Sequence, residues 1–363
     1  MKQFVTFPFG LYKNNKYWIP PIIKDELDSF DATKNPAFEN ATAQFFLAYK
    51  NNKIVGRITA IINKNEVEDQ QIKKMRFGWF DFIDDENVSK LLLDKVKEIG
   101  KKNNLDFMEG PVGFSSMDKV GVLTKGYDEL GRMITWYNHP YYVKHYKNYG
   151  FKVEKEWVET KMLLTNIGKG ISKHERFSKL VQERYHLKSL KLTSTKEIMP
   201  YVDEMFALYH KAYSKLSSFV PLSQNQIDFF KKKYIPFINP EYINFVVNKE
   251  SKLVAFAVLM PSFAKALQKA NGKLFPFGFY HLLKAKKKHD TVISYLIGVD
   301  PDYQNKGLIA IVFDEFYNNV INNNVTYLVL TPQLKDNDEI NKLWKNFEPE
   351  TIKERCTFRL NIR

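Results

Sequence analysis

The 363-residue chain has one cysteine, Cys356, which excludes an intrachain disulfide and fits a reducing compartment. No stretch approaches the roughly 18 uninterrupted apolar residues of a spanning helix, so no membrane span is expected. The opening MKQFVTFPFGLYKNNKYW lacks the apolar core and small-residue cleavage site of a secretory signal. A cytoplasmic location follows as the expectation. Seven histidines, among them His139, His281 and His289, show no paired metal-ligand spacing, so no metal is expected. Acidic residues are in deficit: 55 Lys and Arg face 41 Asp and Glu, a net charge of +14. That balance favours an anionic partner, whether nucleic acid, membrane surface or phosphorylated cofactor. The lysines are spread along the chain, however, and no helix-turn-helix or aromatic-basic RNA motif accompanies them, so nucleic acid is not the expected partner. The densest run, KAKKKH at 284–289, reads as a solvated loop or as a phosphate-attracting one.

What is present is ample core material, 44% hydrophobic and 15% aromatic residues, in a length that suits two domains. Two hairpin patterns stand out, QFFLAYKNNKIVGRITAII (44–62) and INFVVNKESKLVAFAVLM (243–260). Each resumes after a polar turn as Lys-apolar-Val-small, KIVG at 53–56 and KLVA at 252–255. Each is followed by a strand (75–83, 291–299), a helical stretch, another strand (LDFMEG, TYLVLT) and a further helix. This repeated order predicts an α/β protein with mixed sheets, built from two copies of one domain. The seam is expected near TNIGKGISKHE (165–175), which gives domains over 1–166 and 167–363.

In the second copy the strand TVISYLIGV runs into VDPDYQNKGLIA, 299–310, and a helix-like stretch leaves it. The first N–H groups of a helix lack partners and, with the helix dipole, favour an anion. A glycine there admits close approach of a phosphate. Gln304, Asn305, Lys306 and Gly307 supply these elements, and an ordinary turn could use the same residues.

GVDPDYQNKGLI resembles the pyrophosphate-binding motif of the GNAT acetyltransferase superfamily, Gln/Arg-x-x-Gly-x-Gly/Ala. Gln304 and Gly307 match, and Ile309 replaces the final small residue. Downstream, NDEINKLWKNF resembles the family's Asn-x-x-Ala-x-x-Leu-Tyr helix, with Asn337, Ile340 and Leu343 in register. NHPYYVKHYKNYGF (138–151) is similar to the corresponding ending in the first copy, through Gly150 and Phe151. There, however, GWFDFI is followed by DDENVSKLLLDKV, without a glycine and with three acidic residues where phosphates would sit. Asp84 or Asp85 reads instead as a helix N-cap. The whole chain therefore resembles a bacterial tandem GNAT protein with a degenerate N-terminal copy. The resemblance implies coenzyme A, or acetyl-CoA as acyl donor, held by Ile297, Gly298, Val299, Gln304, Asn305, Lys306, Gly307, Leu308, Ile309 and Asn337. It implies N-acyl transfer to a small-molecule or peptide amine.

Such a transfer needs a neutral amine, a donor for the oxyanion and a proton for the leaving thiolate. An amine with pKa about 10.4 is mostly protonated at neutral pH, so a base helps. Backbone N–H groups around Gly298 and Val299 would serve the oxyanion, as the resemblance implies. The strand TVISYLIGV carries no glutamate base, and Trp344 stands where the family commonly has a tyrosine acid. Ser294, Tyr295 and Tyr303 are the nearby polar side chains, each with a packing role as its alternative, and no catalytic residue is assigned. A non-catalytic acyl-CoA-binding module is the competing reading. Gly113, Met117 and Asp118 within GPVGFSSMD are candidates to line an acceptor pocket between the domains, or a plain turn. The aromatic cluster GKLFPFGFYHLL (272–283) reads as core or as the wall of a channel. Cys356, in a strand-like pattern, reads as a packing residue.

Overall fold

A computed structural model of the chain describes residues 1–165, 171–216, 219–337 and 348–363. The seam at 166 and Ile340, Leu343 and Trp344 lie outside the described residues.

Among the described residues, twelve strands form one mixed sheet. The first half contributes β1 (Ala41–Lys50), β2 (Lys53–Asn63), β3 (Lys74–Phe82), β4 (Phe107–Gly110), β5 (Val122–Lys125) and β6 (Lys152–Leu163). The second contributes β7 (Lys188–Leu190), β8 (Ile243–Val247), β9 (Leu253–Pro261), β10 (Thr291–Val299), β11 (Tyr327–Leu334) and β12 (Glu350–Asn361). The hairpins form as their turn chemistry dictates. Asn51 and Asn52 both take the left-handed conformation that joins β1 to β2, φ 51° and 60°. Asn248 folds the second turn by accepting from the N–H groups of Glu250 and Lys252.

The sheet order is β1-β2-β3-β4-β12-β6-β11-β10-β9-β8-β7, with β5 pairing β12. Strands β1 to β4 and β8 to β11 repeat one plan, two antiparallel pairs and then a parallel pair (β3–β4, β10–β11). Between the copies the strands interleave. The last strand of the chain, β12, lies against β4 of the first half, while β6 of the first half lies against β11 of the second. A continuous sheet thus joins the halves through the antiparallel β6–β12 pair.

Helices cover both faces. Glu86–Lys102 and Tyr141–Tyr149 bury Leu92, Leu93, Val96 and Tyr146 against the first half. Ile171–Tyr185 and Leu308–Asn322 pack together over the second, burying Val181, Leu308, Ile311 and Val312. Thr195–Tyr213 and Gln224–Tyr234 cover its opposite face, and Ser223 closes a capping box with Gln226. Cys356 is buried in β12, as its pattern indicates. Among the described residues, no helix is long and apolar enough to cross a membrane.

Candidate active site

The site lies where parallel strands part. β10 and β11 pair only from Thr291↔Tyr327 to Ser294↔Leu330. At that point β10 bulges against β9, between Ser294 and Leu296, so Tyr295 is the extra residue. Beyond it β10 stays with β9 through Val299↔Ala255, leaving its other edge without a strand partner among the described residues. The hydroxyl of Tyr213 donates to the Ile297 carbonyl on β10 at 2.8 Å.

The gap opens into a cavity of about 250 Å³ lined from both halves. The second half supplies Tyr209, Tyr213, Ser294, Tyr295, Ile297 and Asn337, among others. From the first come Gly113, Ser116, Met117, Asp118 and the cations Lys74, Arg76 and Lys155. The segment named in the sequence as a candidate pocket wall, Gly113 with Met117 and Asp118, therefore does line a cavity.

Asp118 is its notable acid. The carboxylate accepts from the Ser115 backbone N–H at 2.9 Å and the Ser115 hydroxyl at 3.1 Å. Burial pushes its pKa up, against the lowering effect of those hydrogen bonds and of Lys233 and Arg76. Burial also raises the Tyr295 phenol, with the charge of Asp118 adding to the shift, so that hydroxyl keeps its proton at neutral pH. Beneath lies a buried ion network. Arg76 meets both carboxylate oxygens of Glu66 at 2.5 and 2.6 Å, and Lys74 bridges Glu66 and Glu109 at 2.6 and 3.3 Å. Such fork-to-fork pairing holds a buried guanidinium rigidly, and Arg76 also donates to the Gly113 carbonyl at 2.9 Å, which anchors the Asp118 segment.

The loop after β10 is braced from below. Asp300, buried, accepts from the Asp302 N–H and from Lys211 at 2.7 Å. Asn305 and Gly307 both have positive φ, 60° and 81°. The N–H groups of Asn305, Gly307, Leu308 and Ile309 find no carbonyl partner among the described residues. A Cβ added at Gly307 would meet the Phe177 ring at 2.9 Å. Unpartnered amides at the start of a 15-residue helix make a fitting cradle for a phosphate. Gln304 and Asn305 are exposed there. Lys306 is partly engaged, its ammonium 4.7 Å from the Tyr303 ring centre and 5.5 Å from that of Tyr185. Gly298 and Val299 sit on the β9-paired part of β10, and Asn337 lies across the gap at the cavity wall. Tyr303 does not line the cavity; its hydroxyl meets Asn248 at 3.4 Å, the packing role.

The first half repeats the parting strands but fills the gap. β3 and β4 pair only from Lys74↔Phe107 to Arg76↔Glu109. The chain then doubles back: the Val112 N–H donates to the Phe77 carbonyl at 2.8 Å. A Cβ on Gly78 would meet the Val112 carbonyl at 2.5 Å. At the following helix start, Asp85 is the N-cap, accepting from the Asn87 N–H at 3.0 Å and pairing with Lys50 at 2.8 Å. A carboxylate occupies the position a phosphate would need.

Among the described residues, no group of three or more His, Cys, Asp or Glu could hold a metal ion. The aromatic cluster at 272–283 is a correction to both readings made of it. Leu282 is core, but Phe275, Phe277, Phe279 and Tyr280 face solvent and neither fill a core nor wall the cavity.

No family model matches the sequence. Protein YghO of Escherichia coli (strain K12) is 26% identical over 306 residues, covering 84% of this chain and 77% of the relative. A bacterial ceramide synthase of Caulobacter vibrioides (strain NA1000 / CB15N) is 23% identical over 319 residues, covering 84% and 79%. Among solved structures, a tandem GNAT protein from the clavulanic acid biosynthesis pathway superposes with TM-score 0.57 at 9% identity, over 100% of this chain and 94% of that one. The glucosamine N-acetyltransferase region of a fungal GH3 beta-N-acetylglucosaminidase gives TM-score 0.55 at 10% identity, over 98% of this chain and 37% of that one. The shared property is the fold, a tandem GNAT architecture on a mixed α/β sheet.

Proposed function

We propose, with the tandem GNAT fold as the premise, that this chain is an acyl-CoA-dependent N-acyltransferase. The observation that supports it is a single continuity. The loop with four N–H groups unpartnered among the described residues follows directly from the strand whose free edge opens on a cavity containing a half-buried carboxylate, Asp118. In this reading residues 167–363 carry the donor and residues 1–166 close the acceptor side. The single cysteine, buried, is in line with a cytoplasmic setting.

The bound thioester supplies the activated acyl group. Asn305, Gly307, Leu308 and Ile309 hold the pyrophosphate by backbone N–H groups, with Gln304 and Lys306 beside them. Ile297, Gly298 and Val299 line the route to the cavity, and N–H groups near Gly298 and Val299 stabilise the oxyanion. Asn337 closes the opposite wall. The strand lacks a glutamate, and Asp118 from the other half takes that role by receiving the proton of the acceptor amine. Its raised pKa improves it as a base over an ordinary aspartate. Tyr295, protonated, has a proton to give and cannot act as the base.

Acetyl-CoA is the default donor and a small or peptide amine the default acceptor. A second reading is favoured by the ceramide synthase relative, since a ceramide is an amide of a long-chain acid and a lipid amine. It gives this chain a longer acyl donor and a lipid-borne amine. The test is calorimetric titration of coenzyme A into the wild type and Gly307→Glu, followed by a panel from acetyl- to palmitoyl-CoA with and without amines. Micromolar binding lost in the variant supports the cofactor loop, and the panel chooses between the readings. Binding without turnover of any donor would leave the acyl-CoA-binding module, and absence of binding would remove the enzyme reading.

A further inference from the structure

Between β9 and β10 a helical hairpin, Ala264–Ala270 and Gly278–Lys287, projects from the sheet. Its inner side is ordinary core: Leu282 packs with Phe263, Ala266 and Leu267 against Ile22. Its outer side is not an ordinary surface. Phe275 is 76% exposed, Phe277 72%, Tyr280 56%, Leu283 54% and Phe279 43%. Within the helix, residues 279, 280, 283, 284 and 287 fall on one outward stripe at 3.6 residues per turn. Its first part is Phe279, Tyr280 and Leu283, and its last part is Lys284 and Lys287.

The charge of this segment is one-sided. Residues 262–289 contain seven lysines and no Asp or Glu. Lys265 pairs with Asp290 at 3.6 Å, and Lys286 donates to the Pro236 carbonyl at 2.7 Å. The other five, Lys269, Lys273, Lys284, Lys287 and Lys288, are exposed and form no ion pair with a described residue.

A contiguous apolar patch on a chain surface marks an interaction site. The composition selects the partner. Buried protein–protein contacts are depleted in lysine, whereas interfacial helices combine Phe and Leu with lysines whose stems lie along the apolar surface and whose ammonium groups reach the headgroups. A helix of 10 residues spans about 15 Å, too short to cross a bilayer and suited to lying in its surface. We propose that the 273–288 segment docks the protein on an anionic lipid surface, with Phe275, Phe277, Phe279, Tyr280 and Leu283 entering the acyl boundary and the unpaired lysines meeting the headgroups. The inference is independent of acyl transfer: it rests on this surface alone.

The experiment is cosedimentation of the full chain with vesicles of phosphatidylcholine alone or with about a third phosphatidylglycerol. The wild type is expected to sediment with the anionic vesicles and far less with the neutral ones. Each lysine near an anionic surface contributes roughly fivefold to partitioning, so a Lys284→Glu/Lys287→Glu/Lys288→Glu variant is expected to lose binding at least tenfold. Phe275→Ser/Phe277→Ser/Phe279→Ser is expected to lose it as fully at low salt. Because these side chains are exposed, both variants should keep the wild-type circular dichroism and melting, which separates lost docking from lost folding. Wild type that stays in the supernatant with anionic vesicles overturns the proposal, as does retention of wild-type binding by both variants. A dimer that the aromatic variant dissociates, or RNA retention, found without vesicle binding, would also overturn it by assigning the face to another partner.

Discussion

The Asp118 carboxylate and Ser115 face each other across a four-residue turn, with the Ser115 N–H and hydroxyl donating at 2.9 and 3.1 Å. The turn aims an acid from the first half into a cavity whose other wall is the open edge of β10 in the second. In the proposed reaction, the carboxylate absent from the strand is supplied from a loop more than 170 residues earlier in the chain.

Asp118→Asn is expected to lower acyl transfer about 100-fold, the scale of a lost general base, with coenzyme A affinity unchanged. Burial raises the Asp118 pKa, so the folded protein holds that proton more tightly than the unfolded chain. Stability is therefore gained as pH falls through the folded pKa, and the charged form is a cost at neutral pH. The variant should melt no lower than wild type at pH 7. Wild-type kcat/KM should fall in acid above the usual carboxylate range. Wild-type turnover by the variant would exclude Asp118 as the base.

Gly113→Ala should act through Asp118. A Cβ at position 113 would lie 2.2 Å from the Asp118 Cβ, an approach that must displace the segment. Expected is a drop in kcat of about 10-fold or more, with coenzyme A titration unaltered. Equal losses in cofactor affinity would point to general disruption instead.

Coenzyme A should saturate at one equivalent per chain, because Asp85 caps the helix start where a second pyrophosphate would sit. Calorimetric stoichiometry near two would refute this account of the first half.

Glu66 governs the acid limb of stability. Burial alone would raise its carboxyl, but Arg76 and then Lys74 outweigh it and hold it at about 2. A depressed carboxylate contributes fully above the unfolded value of about 4.3 and loses that contribution as pH falls toward about 2. Wild type should lose stability steeply over that window. Glu66→Gln, which leaves Arg76 and Lys74 short of their partner, should cost ~3–5 kcal/mol at pH 7 and flatten the window. Urea unfolding at several pH values reads both.

Lys353 acts in the opposite direction. Burial, with Arg132 and Arg355 nearby and only partly offset by Glu159, pushes it down to about 7. Between that value and the unfolded value of about 10.4, the unfolded chain binds the proton more tightly, so stability should rise with pH. Lys353→Met should remove that rise and increase the melting temperature at pH 7. The Leu130 carbonyl, which Lys353 meets at 2.6 Å, keeps a second donor in Arg132 at 2.6 Å. A variant whose melting still climbs from pH 7 to 9 would show that another group titrates there.

The legible part of this protein was local. Alternation and turn residues placed β1, β2, β8 and β9. Asp85, one of the two residues that read as a cap, starts a helix, because strand periodicity, turns and caps depend on residues within a few positions of one another. The glycine loop at 304–309 belongs to the same class. Tertiary structure alone decided the rest. β12 lies against β4 and β6 against β11, since pairing between strands some 200 residues apart leaves no periodic trace in either. Asp118 and Tyr295 meet at one cavity for the same reason. Sequence reads the outward aromatics of 272–283 as core or as a channel wall, because composition reports how apolar a segment is, whereas only packing against Ile22 and Phe263 decides which of its faces is covered.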